Sequence, residues 1–140
     1  MTEQPKIEYY QLTAGFEFPP QSYRLDEAAV SLYLEATQEI DDLFCREGLV
    51  PPMAVTAFAM SALSQSISMP SGTIHVSQEL DFVKLVKVHD TITCCSKVSR
   101  KLERGGLRLM NVDISVVNQN NEMVLAGKVG FVLPEPLKTS

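Results

Sequence analysis

Residues 51–69 read PPMAVTAFAMSALSQSISM, and the whole stretch between Glu47 and Glu79 contains no Lys, Arg, Asp or Glu. Charged residues make up 21% of the chain, so the gap sets one element apart. A surface helix carries a charged face; a helix of this composition has to be wrapped by something apolar. Pro51-Pro52 suits the first helical turn, where a missing N–H removes nothing from the hydrogen-bond ladder. Pro70 and Gly72 stop it. The sequence therefore predicts one long buried helix within residues 51–67. Its uninterrupted apolar part is shorter than the roughly 20 residues of a membrane span. Ser61, Ser64, Gln65, Ser66 and Ser68 also recur along its second half. A soluble core helix is the reading.

Downstream, Ile74, Val76, Gln78, Leu80 and Phe82 alternate with His75, Ser77, Glu79 and Asp81, the two-residue period of a strand. Lys84 to His89 reads as a bend. A strand from Asp90 to about Lys101 follows, with Ile92, Cys94, Ser96 and Val98 as its inward set. Glu103-Arg104-Gly105-Gly106 supplies the glycines of a hairpin turn. The next strand has Met110, Val112, Ile114 and Val116 on one face. Asn118 to Asn121 turns the chain again, and Met123 to Leu133 forms the last strand. Three long strands joined by tight turns make an antiparallel meander.

Upstream, Lys6 to Phe18 reads as an irregular strand broken at Pro19-Pro20. Asp26 is placed to cap a first helix over roughly 26–38, in which Val30, Tyr33, Leu34 and Thr37 recur at helical steps. A polar elbow, Gln38 to Phe44, leads to the double proline. A buried helix followed by an antiparallel meander is the arrangement of an α+β hot dog fold, a sheet wrapped around one long helix. The expectation is a single domain over residues 1–140. One chain leaves a sheet edge open, so a second copy or a second subunit is expected beside it.

The net charge of −5 gives no electrostatic reason to expect nucleic acid. Cys45, Cys94 and Cys95 fit neither a zinc knuckle nor a redox pair, and neighbours on a strand point to opposite faces, so no metal or other cofactor is expected. The N-terminus MTEQPKIEYY lacks the pattern of a signal peptide. A reduced, cytoplasmic setting without membrane contact is the expectation.

The double proline, the apolar helix, Ile74 to Phe82 and Asp90-Thr91-Ile92-Thr93 together resemble the MaoC-like acyl dehydratases. The likeness is nearest the branch with a double proline and a His-x-x-Gln strand, found in N-terminal halves and accessory subunits of 3-hydroxyacyl-thioester dehydratases. Asn121 to Gly127 resembles the family's last hairpin and strand. The resemblance covers roughly residues 20–134 and implies an acyl-thioester ligand carried on coenzyme A or an acyl carrier protein. Active members carry Asp-x-Asn-Pro-x-His after the first helix. Laid on this chain, that pattern puts Glu39 at the acid, Asp41 at the Asn, Asp42 at the Pro and Phe44 at the His. Phe cannot transfer a proton. The family's Gly-Asp turn is His89-Asp90 here.

Glu39, Asp41 and Asp42 could raise one another's pKa and serve acid–base chemistry, or form a solvated loop. Glu39 and Asp41 are the catalytic candidates. Met53 and Ala54 are the candidates for binding a thioester carbonyl, because the first N–H groups of a helix lack intrahelical partners and carry partial positive charge. The resemblance places His75 near the thioester or the subunit seam; an exposed strand histidine is the competing reading. His89 reads as a solvent-facing turn residue.

These features support an accessory or substrate-binding homologue of an acyl-thioester dehydratase or hydratase, as a homodimer or paired with a catalytic hot dog subunit. An active enzyme with Glu39 or Asp41 substituting for the usual pair is a second reading. A hot dog acyl-CoA thioesterase is an alternative, weakened because the central helix has no acid. A non-enzymatic interaction scaffold is another.

Overall fold

The computed structural model describes residues 6–31 and 48–134. Nine strands are described: β1 Ile7–Glu8, β2 Gln21–Arg24, β3 Leu49–Val50, β4 Ile67–Ser68, β5 Ile74–Phe82, β6 Val86–Lys87, β7 Thr91–Arg104, β8 Leu107–Val117 and β9 Met123–Leu133. A first helix, α1, occupies residues 27–31 of the described part. The long helix α2 spans Pro52–Ser66. The main sheet has the order β2-β7-β8-β9-β5, with every pairing antiparallel.

The binary pattern of the meander is realised residue for residue. Ile92, Cys94, Ser96 and Val98 on β7 are buried, as are Met110, Val112, Ile114 and Val116 on β8. These eight face α2, whose Ala54, Val55, Ala59, Ala62 and Leu63 complete the core. Gly105 and Gly106 both adopt positive φ, 57° and 82°, which a two-residue hairpin between twisted strands requires. Asp26 caps α1 as expected: its Oδ1 accepts the Ala29 N–H at 2.8 Å. The fold is α+β, an antiparallel sheet around one long helix, which is the hot dog arrangement.

Four local expectations change. Lys6 to Phe18 is not one irregular strand: it holds β1, a 3₁₀ turn at Tyr9–Gln11 and a bridge from Glu17 to Lys97. The chain turns there because Lys101 takes up the carbonyls of Tyr9 and Leu12. Gln21–Arg24 is a strand against β7, which the preceding prolines hid. The bend at Lys84 to His89 contains β6, paired with β3 just ahead of α2. Finally, a bulge at Val76 shifts the register of β5, so Ile74 and Gln78 point to opposite faces of the sheet.

The wrapping of α2 is one-sided within a single chain. Met53, Ala57, Ser61, Ser64 and Gln65 form an exposed stripe without a charge. β5 is the edge strand and is exposed along nearly its whole length, with Ile74, Val76 and Phe82 about half accessible. Its pairing to β9 is close. A Cβ on Gly127 would stand 2.4 Å from the Glu79 carbonyl oxygen, so only glycine fits there.

Candidate functional site

The N-terminus of α2 opens beside a cavity of about 130 Å³, lined by Val50, Pro52, Val55, Phe82, Leu85 and Val124 among others. Three segments build it. The β3–β6 pair anchors Val50 and Val86, both buried. α2 supplies Pro52 and Val55. The end of β5 supplies Phe82 and the exposed Val83 and Leu85. The Lys84 ammonium on this rim is held by the Glu122 carboxylate. That bond, with a second from Asn118, keeps the Glu122 carboxyl below its usual range. The rim is therefore cationic but already paired, and the lining is apolar.

Pro51 is the N-cap and Pro52 the first helical residue. The Ala54 N–H donates to the Pro51 carbonyl at 2.9 Å, so it is engaged within the chain. Among the described residues, no acceptor meets the N–H of Met53. Of the two amides singled out in the sequence, Met53 is the one left without an intrahelical acceptor, and the residue is half-exposed. A carbonyl oxygen placed there would receive one N–H bond and the helix dipole.

Glu39 and Asp41, with Asp42 and Phe44, lie outside the described residues. His75 lies on β5 opposite Phe131, ring centroids 5.2 Å apart, and is exposed. Seven steps along the strand separate it from Phe82 at the cavity, about 23 Å at 3.3 Å per step. One chain therefore does not bring His75 to Met53. The cavity wall from Phe82, Val83 and Leu85 was missed in the sequence, where this stretch reads as a strand end and a bend. The signal was available: Phe82-Val83 and Leu85-Val86 are apolar pairs where a solvated bend would be polar.

Cys94 is buried on β7 and Cys95 faces the other side. Burial, with a smaller effect of Cys95, pushes the Cys94 thiol up to about 12, so it is an unreactive core residue. Tyr23 stands 5.3 Å from Phe58 of α2 and its hydroxyl is buried. Burial likewise raises its pKa, with Cys94 adding to the rise and the nearby Ser61 side chain opposing it. Among the described residues, no group of His, Cys, Asp and Glu is placed to hold a metal ion. Among them, too, no helix is long and apolar enough to cross a membrane.

A sheet curled around one helix, with an apolar cavity at that helix's N-terminus, defines a hot dog domain. Residues 13–126 match the family described as FAS1-like, dehydratase domain region, and the chain belongs to that family. No curated protein matches the sequence. Among solved structures, the fold is shared with R-hydratase PhaJ1 from Pseudomonas aeruginosa, with a TM-score of 0.77. The two are 19% identical, over 96% of this chain and 92% of that one. The (R)-hydratase from A. caviae involved in PHA biosynthesis gives a TM-score of 0.72 at 20% identity, over 88% of this chain and 98% of that one. The HadBC (3R-hydroxyacyl-ACP dehydratase) complex from Mycobacterium tuberculosis gives 0.67 at 16%, over 85% and 96%. These likenesses carry the fold, as expected of a MaoC-like hot dog domain.

Proposed function

We propose that this chain binds an acyl thioester at the N-terminus of α2 and serves as the substrate-binding or accessory member of a dehydratase. The apolar cavity at the first turn of α2, lined by Pro52 and Val55 on either side of Met53 and Ala54 in the chain, is the observation that carries this reading. An acyl chain has an apolar wall from Val55, Phe82 and Leu85, and a thioester carbonyl has a donor. Membership of a family described by a dehydratase region supports that reaction class. The missing proton carrier, Phe44 in place of the His of the resembling enzymes, argues against turnover by this chain alone. The carrier is coenzyme A or an acyl carrier protein.

A second subunit completes the domain. The free edge of β5, the uncharged stripe of α2 and the exposed Phe82, Val83 and Leu85 form one uncovered region. An exposed apolar edge strand is a template for pairing. Antiparallel pairing along β5 with a like strand sets its beginning beside its neighbour's end. His75 of one copy then stands near the Phe82 end of the other, which resolves its distance from Met53. The HadBC neighbour is a complex by its own description, which supports pairing with a second subunit here.

Calorimetric titration with crotonyl-CoA tests the binding site. We expect saturable binding that Leu85→Trp, at an exposed rim position, weakens severalfold. Binding unchanged by Leu85→Trp, or none at millimolar ligand, would remove the cavity from the account.

A further inference from the structure

The outer face of the sheet, away from α2, divides into two unlike halves. Residues directly opposite across a strand pair lie on the same face. One outer row runs Glu17, Lys97, Asp113, Lys128 and Glu79 from one edge to the other, alternating in charge at every step. That is an ordinary solvated face. Two rows further along, the register instead aligns Leu102, Leu109, Val132 and Ile74, one from each of β7, β8, β9 and β5. Ile74 is 59% exposed, and Leu102, Leu109 and Val132 are half-buried. The row between them holds Arg100, Asn111, Gly130 and Ser77, with the Ser77 hydroxyl and the Asn111 amide oxygen leaning over Gly130. Beyond the apolar row stands Arg104.

The result is a trough across four strands, three steps of about 4.8 Å or about 14 Å in all. A cavity of about 350 Å³ opens on it, lined by Arg100, Leu102, Arg104, Leu109 and Asn111 with Val76, and by the buried Met110 and Phe131 of the inner-facing rows. Its volume lies within the range of small-molecule sites, about 300–1,000 Å³. The two arginines stand at one end, on β7, flanking the apolar row. They belong to the basic run Lys97, Arg100, Lys101, Arg104, Arg108, broken only by Glu103, in a chain of net charge −5. Two of that run are engaged internally: Lys101 holds the carbonyls of Tyr9 and Leu12, and Arg108 holds that of Pro134. Among the described residues, neither Arg100 nor Arg104 has an ion-pair partner.

From this arrangement we infer a binding site for a single-chain amphipathic carboxylate, such as a saturated fatty acid. The head takes the paired N–H donors of Arg100 and Arg104, whose planar fork matches a carboxylate. The Asn111 amide adds a donor beside them. The tail lies along Leu102, Leu109, Val132 and Ile74 toward β5. In an acyl-CoA the charged phosphates stand a pantetheine arm away from the acyl chain, whereas here the arginines flank the apolar row, so this site calls for an anionic head joined directly to its tail. Its occupant is the free acid. The inference is independent of the proposed function.

The test is calorimetric titration of the full chain with dodecanoate below its micellar concentration, beside acetate and dodecyltrimethylammonium. We expect dodecanoate to bind saturably at one site, and acetate and the ammonium amphiphile to bind far more weakly. The double variant Arg100→Gln/Arg104→Gln, at exposed positions, should weaken dodecanoate about tenfold to a hundredfold, the loss of one to two charge-assisted bonds. Leu85→Trp at the other cavity should leave it unchanged. Equal binding of the two amphiphiles, or dodecanoate binding lost through Leu85→Trp but kept in the arginine variant, would overturn the inference. So would dissociation of a higher oligomer by Leu109→Asp, which would assign the trough to a contact between copies.

Discussion

Lys101 Nζ lies 3.9 Å from the centroid of the Tyr9 ring while donating hydrogen bonds to the carbonyls of Tyr9 and Leu12, each at 2.9 Å. One side chain on β7 thus fastens the N-terminal segment, 92 residues away in sequence, over the end of the core. Arg108 approaches the same ring, 4.9 Å from its centroid. Lys101→Met keeps the packing stem but leaves two carbonyls without their donor. We expect a loss of about 1–3 kcal/mol, read from urea midpoints at unchanged m-value. An unaltered midpoint would show that the clasp carries no stability.

Gly127→Ala tests the contact between β9 and the edge strand. The added Cβ would meet the Glu79 carbonyl at 2.4 Å and Leu80 Cδ2 at 2.8 Å, and backbone cannot yield as a side-chain tip can. We expect a loss of about 1–3 kcal/mol, with amide exchange accelerated in β5 ahead of β8. Exchange accelerated equally in both strands would show that the contact is not confined to the pairing of β9 with β5.

The Cys94 thiol supplies a pH test with a definite sign. Its folded pKa is raised from an ordinary value of 9.0 to about 12 by burial. Its contribution to stability is therefore complete below pH 9 and is lost as pH rises from 9 toward 12, because only the unfolded thiol ionises there. Cys94→Ala should flatten that alkaline limb of the stability curve. In the native state, iodoacetamide should modify Cys95 well before Cys94, as peptide mapping by mass spectrometry would reveal.

Much of the fold was legible because it rests on strict periods. The alternations at Ile92–Val98 and Met110–Val116 can bury only one face, and the glycine pair at 105–106 permits only a tight hairpin. Gln21–Arg24 was not legible, since four residues of mixed polarity become a strand only because β7 offers an edge. The Val76 bulge was equally hidden: nothing local distinguishes it from its neighbours, and it changes which of Ile74 and Gln78 meets the core side. Of the candidate site, the helix terminus was legible from Pro51-Pro52, but the choice of Met53 over Ala54 depends on the Pro51 carbonyl. Glu39 and Asp41 stand outside the described residues.

The proposed seam on β5 predicts a concentration-dependent assembly. Val83→Asp places a charge among the exposed apolar residues at the end of that strand without touching the core. Light scattering of the unaltered chain should give a dimer, or a pair with a second hot dog subunit when the two are co-expressed. The variant should shift toward monomer while keeping its circular dichroism. A monomer at micromolar concentration with no recoverable partner would refute the seam.

The most direct measurement is hydration of crotonyl-CoA by the purified chain, run with calorimetric binding and beside the variants Glu39→Gln, Asp41→Asn and Phe44→His. General acid–base assistance contributes about a hundred- to ten-thousandfold, so its absence is plain in kcat. The account predicts measurable thioester binding with negligible turnover, and turnover appearing on addition of a second, catalytic subunit. Robust turnover by the chain alone, abolished by Glu39→Gln or Asp41→Asn, would contradict it and place a rebuilt acid–base pair in this chain.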